Sequence, residues 1–389
     1  MELMANWSYP NYVRFGVGRI KELAEACVQV GIERPLLVTD RGLAEADITR
    51  TALDILSKAG LGQQKASGSS ASLFADVDPN PTERNLEAGV AAFHTGGHDG
   101  VIAFGGGSGL DLGKLIAFMA GQRRPVWDFE DIDDWWTRAD AEAIFPIVAV
   151  PTTAGTGSEV GRAGVLTRSD TRQKKIIFHP GVLPSVVICD PALTIGLPPA
   201  LTAGTGLDAF AHCVEAFSSP HFHPMSQGVA LEGMRLVIEN LPRAYGQPDD
   251  VHARGQMMAA GMMGAVAFQK GLGAIHALSH PIGAIHNTHH GTTNAVCMPA
   301  VLRLNAPAIE ARFDRAASYL GIEGGLSGFQ DFVSDFNARL GIPSRLRKIG
   351  VREPDTDLLV REALADPSCA GNPVPLTAEN LRALLQALL

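Results

Sequence analysis

A chain of 389 residues, 46% hydrophobic and 19% charged, exceeds the usual size of one core and has an ordinary globular composition, so two domains are expected. Its formal net charge of −9 excludes nucleic acid and polybasic membrane attachment, both of which require clustered Lys and Arg. No apolar run is long enough to span a bilayer, and the opening residues MELMANWSYPNYVRFG hold no apolar signal core, so a cytoplasmic protein is expected.

The five cysteines (27, 189, 213, 297 and 369) are widely spaced and form no CxxC pair, which predicts reduced thiols and no structural zinc–cysteine site. Along the first half, short apolar runs alternate with helical patterns. Residues 35–40 (PLLVTD) read as a buried strand, followed by a helix through 53–58 and a turn at Gly60. Residues 99–108 (DGVIAFGGGS) read as a strand entering a glycine turn, with a helix over 110–120. The segment WDFEDIDDWW (127–136) reads as a solvated surface excursion. Residues 145–159 repeat the strand-then-loop pattern, and 184–191 (PSVVICDP) give one more strand. Near-continuous apolar strands alternating with helices predict a mostly parallel sheet covered on both faces.

Beyond residue 190 the period becomes helical, over 200–218, 225–241, 250–268, 272–285, 307–320, 326–340 and 377–388. The expected organisation is therefore an α/β dinucleotide-binding domain over 1–190 and an all-helical metal-binding and substrate domain over 191–389.

Gly105, Gly106, Gly107 and Ser108 stand between a strand and a helix, where backbone N–H groups and a helix N-terminus can cradle a pyrophosphate. The spacing is neither G-x-G-x-x-G nor a Walker motif, and a plain tight turn is the competing reading. Asp40 ends the earlier strand, where a carboxylate favours a ribose 2′-OH and repels a 2′-phosphate, so NAD is expected over NADP; capping the following helix is its structural alternative. Thr152 and Thr153, in PTTAGTGSE, add hydroxyls in another loop that follows a strand.

In the second half, Asp208 and His212 share a helix face one turn apart, as do His276 and His280, and His290 follows just before Gly291. If these clusters meet, one carboxylate and several imidazoles suit Fe(II) or Zn(II) and leave room for a substrate oxygen. A satisfied polar group is the alternative for each histidine, and His286 and His289 read as bystanders, His289 being the nearer to substrate of the two.

Taken together, VTDRGL (38–43), GGGSGLDLGK (105–114), PTTAGTGSEV (151–160), GTGLDAFAH (204–212), GLGAIHALSHPIGA (271–284), HHGTTNAVCMP (289–299) and DPSCAGNPVPLT (366–377) resemble the iron-containing (group III) alcohol dehydrogenase family over nearly the whole chain. The resemblance implies a dehydroquinate-synthase-like/iron-ADH fold with the active site in a cleft between its two domains. It implies Asp208, His212, His276 and His290 as metal ligands and His280 as a proton-relaying catalytic histidine. On the cofactor side it implies Asp40, Gly106, Gly107, Ser108, Asp111, Thr152, Thr153 and Lys175, and a homodimer is the implied assembly.

The activity so implied is metal-dependent hydride transfer between a primary alcohol and nicotinamide, with Fe(II), alternatively Zn(II), as the metal. Lys270 and Arg162, where relatives often differ, extend the expected substrates to ω-hydroxy acids such as 4-hydroxybutyrate; a lysine on a surface turn is the plainer reading of Lys270. The alternatives are an NAD- and metal-using lyase of the dehydroquinate-synthase type and a maleylacetate-reductase-like reductase.

Overall fold

The computed structural model describes residues 5–7, 11–61, 73–352 and 355–389. By its contacts the chain forms two compact units: Met1–Thr153 with Ser158–Ile195, and Ala154–Gly157 with Gly196–Leu389.

The first unit is built on a seven-stranded sheet of β1 (Ala5–Trp7), β2 (Tyr12–Phe15), β3 (Pro35–Val38), β4 (Leu73–Phe74), β5 (Gly100–Gly105), β6 (Ile147–Pro151) and β9 (Val186–Cys189). A separate antiparallel pair joins β7 (Ala163–Arg168) to β8 (Gln173–Phe178). The main sheet runs β1-β2-β9-β6-β5-β3-β4, parallel except for β1 on β2. Helices α1 (Leu23–Gln29), α2 (Asp47–Lys58), α3 (Glu83–Thr95) and α4 (Gly107–Met119) belong to this unit. Every residue of β3, β5, β6 and β9 is buried, as the unbroken apolar runs predicted. From β3 the chain moves outward to β4, then returns to β5 on the other side of β3. That reversal makes the carboxyl ends of β3 and β5 the place where an open α/β sheet binds its ligand.

Two features of this unit differ from the sequence reading. The β7–β8 hairpin lies in a stretch whose polar turn, SDTR at 169–172, hides the strand period, and only alternate residues of β7 are buried. The 127–136 excursion is anchored rather than solvated along its first half: Phe129 is fully buried against Phe118, and Glu130 accepts ion pairs from Lys175 and Arg168.

The second unit is helical: α5 (Pro199–Ser218), α6 (Pro224–Gly246), α7 (Val251–Ala267), α8 (Ala274–His286), α9 (His290–Tyr319), α10 (Gly325–Arg339), α11 (Thr356–Ala365) and α12 (Ala378–Leu388). Helix α5 is its axis: all residues from 206 to 218 are buried, and α6, α7 and α9 pack around it. Helix α9 begins well before the expected 307, because Pro299 and Pro307 lie inside it. Burial along its first half holds the helix through both prolines, which as sequence signals mark breaks. The AGTG loop belongs to this unit, and Gly157, at φ 62, approaches α7 so closely that a Cβ would stand 2.3 Å from that of Ala265. Among the described residues no helix is long and apolar enough to cross a membrane.

Candidate active site

In the first unit, the carboxyl ends of the adjacent strands β3, β5 and β6 carry Asp40, Gly105–Gly106 and Thr152–Thr153. Asp40 Oδ1 accepts the backbone N–H of Leu43 at 3.1 Å within the turn after β3, and it does not cap α2, whose N-cap is Ala46. The other oxygen faces Gly105, where a Cβ would come within 3.7 Å of it. Gly106 precedes the first turn of α4, and Gly107 opens it. Gly109 lets that helix sit against the strand, since a Cβ there would lie 2.8 Å from the carbonyl oxygen of Phe104. Thr152 donates its N–H to Gly105 O at 2.9 Å, and Thr153 packs against Gly106, fixing one loop to the other. The Ser108 hydroxyl donates to Pro79 O at 2.6 Å.

Asp111 is engaged within the unit through both oxygens. Ser158 Oγ donates to Oδ1 at 2.5 Å and Val165 N to Oδ2 at 3.1 Å, and the Lys114 ammonium stands 3.3 Å away. Lys114, fully buried inside an apolar helix, also donates to the carbonyls of Ser158 and Ala163. It was not among the expected residues, although a lysine within LDLGKLIAFM is the signal for it. Lys175 pairs with Glu130 at 3.2 Å.

In the second unit, α5, α8 and the start of α9 bring the other cluster together. Asp208 Oδ1 lies 3.8 Å from Nε2 of His212, 3.8 Å from Nε2 of His276 and 3.6 Å from Nε2 of His290. Ligand atoms of Asp208, His276 and His290 all fall within 4.8 Å of one another. The His212 ring stacks on His276 with centroids 4.8 Å apart. His280 meets His276 edge-on at 5.6 Å and stacks on His290 at 5.4 Å. The mutually close donors are one carboxylate and two imidazoles from three helices, a set that suits a borderline divalent metal, and His212 adjoins them through Asp208 at 3.8 Å.

Burial pushes the His212 imidazole down to about 4, against the pull of Asp208, so it stands neutral with a lone pair to give. His276 moves the other way: burial opposes its protonation, but the charge and hydrogen bond of Glu215, with Asp208 behind, outweigh it.

Three polar residues in this cluster were not anticipated. Glu215 Oε2 lies 2.5 Å from His276 Nδ1, Asp366 Oδ2 lies 2.7 Å from His280 Nδ1, and the Asn294 amide donates to Asp208 Oδ1 at 2.7 Å. Glu215 had a readable signal, standing seven residues after Asp208 on the same face of α5.

His289 is the N-cap of α9, its Nδ1 accepting Thr292 N at 3.2 Å, and His286 closes α8. Lys270 corrects both expectations for it, because it is neither exposed nor available to a substrate. It is 2% exposed and its ammonium donates to Ala216 O at 3.1 Å and Ser219 O at 2.5 Å. With Arg312, which donates to the carbonyls of Phe217, Ser218 and Ser219, it caps the C-terminus of α5. Arg162 lies over the Phe178 ring at 5.5 Å, near Asp131.

A switch-point glycine cradle in an α/β unit and a carboxylate–imidazole cluster in a helical one define an enzyme class that pairs a dinucleotide with a metal. Residues 10–191 match the family model for iron-containing alcohol dehydrogenase, and residues 202–389 match the C-terminal model of the Fe-containing alcohol dehydrogenase family. The chain belongs to the iron-containing alcohol dehydrogenase family.

The 4-hydroxybutyrate dehydrogenase of Cupriavidus necator is 39% identical over 98% of this chain and 99% of its own. A crystal structure of 1,3-propanediol oxidoreductase superposes over 100% of both chains with a TM-score of 0.90 at 34% identity. Sulfoacetaldehyde reductase from Bifidobacterium kashiwanohense, crystallised in complex with NAD+, gives a TM-score of 0.85 at 28% identity, over 100% of this chain and 98% of that one.

Proposed function

We propose that the enzyme interconverts a primary alcohol and its aldehyde with NAD, using a divalent metal held by Asp208, His212, His276 and His290. The observation that carries this reading is the convergence of three imidazole Nε2 atoms on one oxygen of Asp208. The donor set accepts Fe(II) or Zn(II), and the family's iron-containing description favours Fe(II). When bound, the metal supplies a Lewis acid that lowers the pKa of an alcohol hydroxyl, and NAD supplies the hydride acceptor.

The residues of the chain divide the remaining work. Asp208 supplies the negative charge of the ligand set and His212 a neutral imidazole. His280 carries the substrate proton to solvent through Nε2, since its Nδ1 is committed to Asp366. Gly106, Gly107 and the start of α4 hold the cofactor pyrophosphate, Asp40 the adenosine ribose, and Ser108, Thr152, Thr153 and Lys175 surround them. Asp111 acts through Ser158 and Lys114, holding the wall of that site. Asp40 disfavours NADP.

The substrate class extends to ω-hydroxy acids such as 4-hydroxybutyrate, supported by the 39%-identical relative rather than by Lys270. Family resemblance supports a homodimer. The test is anaerobic metal analysis followed by an alcohol and aldehyde panel with NAD and NADP. We expect one metal per chain and NADH formation from 4-hydroxybutyrate that is lost on chelation; undiminished turnover of the metal-stripped enzyme would sink the reading.

A further inference from the structure

We propose that Glu215, acting through His276, is a positioning residue that fixes the imidazole tautomer a metal ligand needs. The inference rests on the metal-site reading above and assigns a residue outside the four ligands.

Glu215 is 4% exposed on α5 and reaches across to the first turn of α8. Its Oε1 accepts the Ile275 N–H at 2.7 Å, and its Oε2 lies 2.5 Å from His276 Nδ1. The Ile275 N–H can only donate, which makes Oε1 an acceptor. A carboxylate Oε2 accepts as well, so the proton of a neutral His276 sits on Nδ1. The lone pair is thereby left on Nε2, the atom that lies 3.8 Å from Asp208 Oδ1. The opposite tautomer would set an imidazole lone pair against a carboxylate oxygen at 2.5 Å, which is repulsive.

The same side chain also fixes where the ring stands. By taking the Ile275 N–H, Glu215 satisfies one of the orphan donors at the N-terminus of α8, and Asn372 Oδ1 takes that of Ala274 at 3.1 Å. The turn that carries His276 is thus tied to the helix that carries Asp208 and His212. With both oxygens engaged by α8, Glu215 is an orienting group and not a further ligand.

His280 provides an internal comparison. It has the same Nδ1–carboxylate arrangement, but its partner is Asp366, and it stands outside the four-residue donor set. A carboxylate-to-amide change at Asp366 therefore serves as the control for one at Glu215. In Glu215→Gln, at unchanged volume, an amide oxygen kept on the Ile275 N–H turns the NH2 onto His276 Nδ1, which either sets donor against donor or drives the ring proton to Nε2, where it blocks a metal.

The experiment is a zinc titration of chelator-stripped protein against a chromophoric competitor at fixed neutral pH, with circular dichroism as the fold check. Glu215→Gln is expected to bind Zn(II) about 10- to 100-fold more weakly than wild type, and Asp366→Asn within about twofold of it. Glu215→Gln at wild-type affinity, with His276→Ala clearly weaker, overturns the role of Glu215 alone. Equal affinities for wild type and His276→Ala overturn the metal reading itself. Histidine-selective nitrogen-15 spectra of the wild-type protein decide the matter even where a variant does not fold. In the pH range where the ring is neutral, a proton on His276 Nδ1 supports the inference, and a proton on Nε2 alone overturns it.

Discussion

Oδ2 of Asp366 lies 2.7 Å from Nδ1 of His280, although 86 positions separate the two residues. Asp366 Oδ1 meanwhile accepts the Ser368 N–H at 2.8 Å, so the carboxylate is held from behind. An imidazole that relays a proton works best when the same nitrogen always faces the substrate, and a carboxylate on the other nitrogen ensures this. Asp366→Asn keeps the Ser368 contact but weakens that hold. It is expected to lower kcat for alcohol oxidation by about 10- to 100-fold with bound metal unchanged. Steady-state kinetics beside metal analysis of the same preparation check this; unaltered kcat removes the dyad from catalysis.

The pairing shows where sequence reasoning reaches and where it stops. Asp208 and His212, like His276 and His280, were legible because four residues make one helical turn. That His290 joins them depends on how α8 and α9 meet, which no local period encodes; its place before Gly291 made it a candidate, and family resemblance implied it as a ligand. Asp366 was unreadable as a partner for the same reason: it lies in a loop and its contact spans 86 positions. Glu215 shares the face of Asp208 by spacing, but its partner His276 lies 61 positions away on another helix, which that spacing does not encode. The buried strands announced themselves as apolar runs, whereas β7, buried on alternate residues, and β8, buried at Ile177 alone, form no such run.

Asp208 Oδ1 is the common neighbour of three imidazoles and the Asn294 amide. Asp208→Asn keeps the volume but takes the negative charge from the ligand set. Bound iron or zinc in the purified variant is expected to fall at least about tenfold relative to wild type. Elemental analysis of protein prepared side by side measures it, and full metal occupancy in the variant would remove Asp208 from the site.

Asp40 places one oxygen on Leu43 N–H and the other beside Gly105, at the switch point of the sheet. Asp40→Ser keeps an acceptor for Leu43 and removes the charge that repels a 2′-phosphate. The ratio of kcat/KM with NADP to that with NAD is expected to rise by about tenfold or more, as a lost like-charge clash predicts. An unchanged ratio would place the ribose elsewhere.

Glu159, 4% exposed, is pushed by burial up to about 7 from an ordinary 4.5, even with the Lys114 ammonium favouring its ionised form. Its folded-state pKa is raised, so the native protein holds a proton there that the unfolded chain releases. That contribution to stability is present below 4.5 and is lost as the pH rises through about 7. Glu159→Gln has no such proton to lose. Denaturant unfolding of both proteins is expected to show the variant gaining on wild type between about pH 5 and about pH 8. A difference that stays flat across this window would mean that Glu159 ionises in the fold as it does in the unfolded chain.

Lys270 separates a structural from a recognition role. Burial, with the Arg312 guanidinium nearby, brings its amine down to about 8, and its hydrogen bonds close the end of α5. Lys270→Met keeps the aliphatic stem but leaves Ala216 O without that donor, while Ser219 O retains Arg312 at 2.8 Å. The expected cost is about 1–3 kcal/mol of unfolding free energy, the usual penalty for a buried acceptor left unmet. Discrimination between 4-hydroxybutyrate and 1-butanol, measured as the ratio of their kcat/KM values, is expected to stay as in wild type. A selective loss of 4-hydroxybutyrate turnover at unchanged stability would return Lys270 to the substrate; the two carbonyls that hold its ammonium argue against that outcome.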